Sequence, residues 1–111
     1  METKAIVKQL AALAQETRLS IFRLLVVQGP DGLAVGKIAE QLQIAPATLS
    51  FHLKELSNSG LVNSRQESRF IYYSADFAAM QQLLGFLSEN CCNGNNCDVT
   101  ENCGENSENC N

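Results

Sequence analysis

A chain of 111 residues with 45% apolar content is long enough for one domain with a modest core. Its net charge of −4, from 8 Lys and Arg against 12 Asp and Glu, excludes a strongly basic surface that would hold nucleic acid by charge alone. No apolar run approaches the roughly 18 residues of a membrane span, and Met1-Glu-Thr-Lys-Ala lacks a signal-peptide pattern, so a cytoplasmic protein without membrane contact is expected.

Ile6, Leu10, Leu13 and Ala14, spaced by three and four, predict a first helix over residues 3–14. Residues 16–28 predict a second, apolar around much of its girth and therefore central. Gly29-Pro-Asp-Gly32 ends it as a turn cluster. Val35, Ile38, Ala39 and Leu42 predict a short third helix over 35–42. After the turn Gln43-Ile44-Ala45 a fourth helix is expected over 46–59, with Pro46 at its first position and Gly60 just past its end. Two helices joined by so short a turn form a helix-turn-helix pattern. Leu49, Leu53 and Leu56 face the core of this reading, leaving Thr48, Ser50, His52, Lys54 and Glu55 mostly outward. Ser50 and His52 are then expected near base edges, with Thr48 and Lys54 nearer phosphates.

Beyond Gly60 the pattern becomes extended. Residues 61–65 and 69–73 are rich in β-formers and flank Gln66-Glu67-Ser68, which predicts a hairpin wing with Arg65 and Arg69 near its tip, at phosphates or the minor groove. Ser74 is placed to cap a last helix from Ala75 to about Asn90. That helix carries the stripe Phe77, Met80, Leu84 and Leu87, for which so small a domain has little core left. A second copy would bury it, together with Ile6 and Leu10 of the first helix. The fold expected for residues 1–90 is thus mainly α with a small β-hairpin, a winged helix-turn-helix that dimerises through its first and last helices and contacts double-stranded DNA.

Residues 91–111 form a separate Cys-rich acidic tail, too polar to build a core. All five cysteines lie there (Cys91, Cys92, Cys97, Cys103 and Cys110), and Asp98, Glu101, Glu105 and Glu108 carry the whole excess of acid, so residues 1–90 are neutral. An odd count confined to one end is not a disulfide framework. In a reducing compartment such thiols suit a soft ion or a redox site.

The chain resembles the ArsR/SmtB family of winged-helix repressors. The resemblance rests on Leu13-Ala-Gln-Glu-Thr-Arg-Leu-Ser-Ile-Phe-Arg-Leu-Leu25, on Leu49-Ser-Phe-His-Leu-Lys-Glu-Leu56, on Gly60-Leu-Val62 and on Arg69 with Tyr72-Tyr73. It covers about residues 5–90 and implies a homodimer that sits on a promoter operator and leaves it when an ion binds. Two of the family's ion sites are missing. Where its Cys-Val-Cys arsenic site would begin the third helix, this chain has Ala34-Val35-Gly36, and Asp76 has no His partner on the last helix for a zinc-type site. What remains is similar to a subgroup with an arsenite site at the end of the last helix, and implies Cys91, Cys92 and Cys97 as ligands with Cys103 in reserve. Arsenite, As(III), is then the expected inducer, with antimonite like it, because soft thiolates select soft ions. A zinc-responsive or thiol redox-responsive repressor of the same fold is the alternative, and a thiol-based arsenical-transforming enzyme a more distant one. No phosphate loop or nucleophile motif supports an enzyme. A Gly is common in the family where Ser68 stands, so a slightly strained or differently shaped wing turn is expected.

Overall fold

A computed structural model describes residues 2–89. In chain order it contains α1 (Thr3–Leu13), α2 (Glu16–Gln28), β1 (Leu33–Ala34), α3 (Val35–Leu42), α4 (Pro46–Ser59), β2 (Val62–Glu67), β3 (Phe70–Ala75) and α5 (Phe77–Leu87). Helices α1 to α4 lie within a residue of their expected bounds, because each combines an apolar period with a definite end. At the close of α4, Gly60 is left-handed (φ 87°). Its N–H donates to Ser57 O, and the Leu61 N–H donates to Leu56 O, the paired bonds that satisfy the last carbonyls of a helix.

The core gathers where α2 meets α4 and the sheet. Ile21 and Leu25 of α2, Ile38 of α3 and Leu49 and Leu56 of α4 are wholly buried, and Leu61 closes the cluster from the start of the wing. Each such side chain contributes on the order of 1.5–3 kcal/mol. Helix α2 packs against α1, α3, α4 and β3, the central position its girth predicted.

Three features depart from the expectations. The sheet has three strands in the order β1-β3-β2, all antiparallel, rather than the two of a simple hairpin. The added strand is only Leu33–Ala34, paired with Tyr73 and Tyr72. The wing strands also run further than predicted, so Ser68 and Arg69 alone make the tip, and Ser68 is left-handed at φ 61° as the non-glycine turn implied. Finally, Ala75 ends β3 instead of opening α5. The cap is Asp76, whose Oδ1 accepts the Ala79 N–H at 3.0 Å, and not Ser74, which pairs with Asn63 in the sheet.

The turn between α2 and β1 depends on Gly32, which is left-handed (φ 78°); a Cβ there would lie 2.5 Å from the Tyr73 carbonyl oxygen. Gly60 is equally left-handed but meets open space. Gly60→Ala should therefore cost about 1 kcal/mol of backbone strain, and Gly32→Ala on the order of 2 kcal/mol or more, since the β1–β3 contact must also shift. Urea unfolding of the two variants checks the order.

Candidate nucleic-acid interface

Helix α3 ends at Gln43, held left-handed (φ 54°) with its N–H on Ala39 O, and the chain turns there into α4. Ile44 is half-buried against the core and fixes the turn. No side chain caps the amino end of α4, where Pro46 stands at the first turn. Its free N–H groups therefore point outward, an arrangement suited to a phosphate.

Thr48, Ser50 and Lys54 are exposed on α4, as expected. His52 is not. It is 8% exposed, because it falls three residues after Leu49 and four before Leu56, at about 100° per residue the same side of the helix as the core leucines. Its Nδ1 faces Arg18 Nη1 at 3.4 Å, a long contact in which the guanidinium donates. Arg18 Nε donates to Ala12 O at 2.8 Å. His52 thus ties α4 to the corner between α1 and α2, and the expectation of a base-edge contact is corrected. In its place the outward side of the helix presents Phe51, 56% exposed. An aromatic residue reads as core by type; its phase, midway between Leu49 and Leu53, was the signal available for the opposite face.

The two wing arginines differ in their engagements. Arg65 Nε donates to Glu67 Oε2 at 2.8 Å, its Nη1 donates to Asp31 O at 2.8 Å, and its guanidinium lies 4.8 Å from the Tyr72 ring centroid. The ion pair is well exposed and adds at most about 1 kcal/mol. Its geometric effect is to strut the wing against the α2–β1 turn. Arg69, at the tip, lines a cleft of about 340 Å³ between wing and α4 with Ser50, Phe70 and Ile71. Arg69→Ala is expected to weaken binding to every duplex and lower the salt slope by about one. Arg65→Ala should instead speed hydrogen exchange of the β2–β3 amides by freeing the strut. Salt titrations and exchange measurements on both variants check the division.

The candidate pairing surface also differs in detail from its prediction. Ile6 is 2% exposed and faces inward, and Phe77 and Met80 pack partly on the domain's own core. Leu10, Leu84 and Leu87 are exposed as expected, at 40%, 46% and 57%, and Val7 joins them at 57%. A helix one face wide shares its stripe between the two sides it must serve. Among the described residues no three His, Cys, Asp or Glu side chains come together as a metal site. Cys91, Cys92, Cys97, Cys103 and Cys110 lie outside the described residues.

Residues 13–65 match a helix-turn-helix domain family. The transcriptional activator HlyU of Vibrio cholerae is 33% identical over 86 residues, covering 78% of this chain and 77% of that one. A solved structure of HlyU aligns at a TM-score of 0.62 with 35% identity over 78% of this chain and 97% of the solved chain. A putative arsenical resistance operon repressor, ArsR of Halobacterium salinarum, is 34% identical over 64 residues, 58% of this chain and 49% of that protein. The homodimeric winged helix-turn-helix DNA-binding domain of Mb0332 from Mycobacterium bovis, a possible ArsR-family regulator, aligns at a TM-score of 0.62 with 28% identity over 86% of this chain and 88% of the other.

Proposed function

Because the chain belongs to the ArsR/SmtB family of winged helix-turn-helix transcriptional regulators, we propose that it is a cytoplasmic repressor that binds operator DNA as a homodimer and leaves it when trivalent arsenic, or antimony, is taken by thiols of the tail. Operator contact falls to α4 and the wing, through Thr48, Ser50, Lys54 and Arg69. The pairing surface is Val7 and Leu10 of α1 with Leu84 and Leu87 of α5.

One observation carries the choice of inducer. Every thiol of the chain follows α5, beginning four residues after Leu87, and none stands in residues 1–90. Three thiols condense with arsenous acid and release three waters, forming three As–S bonds without any change of oxidation state. Soft sulfur ligands favour this ion over hard ones. The similarity to a putative arsenical resistance operon repressor supports the same class of inducer.

The test is a gel-shift on the protein's own promoter, titrated separately with arsenite, antimonite, zinc and the thiol oxidant diamide. Arsenite and antimonite should release the DNA at concentrations where zinc and diamide do not. Release by zinc alone, or by diamide alone, would replace the metalloid reading with the corresponding alternative.

A further inference from the structure

We propose that Phe51 is a specificity-determining residue that reads the 5-methyl group of a thymine in the major groove. This rests on the reading of α4 as the DNA-contacting helix. Phe51 is the one large apolar side chain that α4 presents to solvent among the described residues, 56% exposed, while Leu49, Leu53 and Leu56 are 1% exposed or less. An exposed ring in mid-helix adds little to the fold, and the flanking Ser50 and Lys54 are polar and exposed. The ring has an aromatic neighbour on its own helix. It meets His52 edge to face, with centroids 5.5 Å apart and planes at 63°, and His52 is buried against Arg18.

The chemistry of the groove narrows what such a ring can recognise. Phenylalanine has no donor or acceptor, so it gains nothing from the N7, O6, O4 or exocyclic amine groups of the base edges. The thymine methyl is the apolar feature that the major groove offers. Ser50 beside it and Lys54 one turn on can hydrogen-bond to neighbouring bases or phosphates, so Phe51 adds a requirement they cannot supply.

The experiment selects duplexes with the full-length protein from a randomised pool, then replaces each thymine of the selected site by deoxyuridine, which lacks only the methyl. At one position per half-site the exchange should weaken binding about threefold to fourfold. Phe51→Ala should bind the thymine and uracil duplexes equally, while Phe51→Leu, which keeps an apolar contact, should retain a preference for thymine. The proposal is overturned if no thymine is uracil-sensitive, or if Phe51→Ala keeps the same sensitive position. In that outcome the exposed ring belongs to a protein-contacting surface. If the protein selects no duplex at all, the assignment of α4 to DNA fails and the proposal with it, a result distinct from the other two.

Discussion

Leu84→Glu is expected to split the proposed homodimer and abolish operator binding together, while leaving the subunit folded. Leu84 is 46% exposed within one subunit, so the fold does not depend on it. In a two-fold interface each substitution occurs twice. Losing two buried leucine contacts, and placing two carboxylates in an apolar seam, should remove on the order of 3–5 kcal/mol. That raises the dimer Kd about a hundredfold to several-thousandfold. A lone subunit reaches only one half-site, so the gain from linked contacts disappears with the dimer. Sedimentation should show a monomer with an unchanged helical circular-dichroism spectrum. Leu83→Glu is the control: Leu83 is 5% exposed, and its substitution should lower thermal stability of the subunit itself. A Leu84→Glu protein that sediments as a monomer yet binds its operator tightly would remove α5 from the mechanism.

The second large effect concerns the inducer. Cys91→Ser or Cys92→Ser should leave repression intact and abolish the response to arsenite, because a serine hydroxyl is a hard ligand that cannot replace a soft thiolate. Cys110→Ser should change nothing. The comparison of Cys97→Ser with Cys103→Ser identifies the third ligand: the variant that stops responding marks it. The physical basis is linkage. The thiols follow α5, which carries Leu84 and Leu87, and not α4, so on the proposed reading ion binding would act on DNA affinity through the way two subunits sit together. A coupling of about 1–3 kcal/mol is typical of linked sites and changes affinity roughly five- to 150-fold. It must be reciprocal, so protein on its operator should bind arsenite more weakly than free protein by the same factor, which calorimetry with and without operator duplex measures. Release by arsenite from a protein lacking both Cys91 and Cys92 would exclude the tail as sensor.

What the sequence by itself determined is most of what repeats or ends locally, the start of α5 at Asp76 instead of Ser74 being the exception. Helices α1 to α4 follow from apolar periods of three and four residues, the α4 boundaries from Pro46 and Gly60, and the wing from two β-rich runs on either side of a short polar turn. The concentration of every thiol behind the last helix is likewise a sequence fact, and the choice of inducer depends on it. What only the tertiary structure decided are contacts between residues remote in the chain. Leu33 and Ala34 carry no strand signal in two residues; they are extended because β3 supplies Tyr73 and Tyr72 as partners. The helical phase of His52 already put it beside the core leucines, but its partner Arg18, 34 positions earlier, is set by the packing of α4 on the α1–α2 corner. Arg65 is a strut rather than a free cation because Asp31, also 34 positions away, offers its carbonyl. Ile6 turned inward and Leu84 outward for the same reason: a period defines a stripe, but which edge of that stripe faces the domain is set by the surface packed against it.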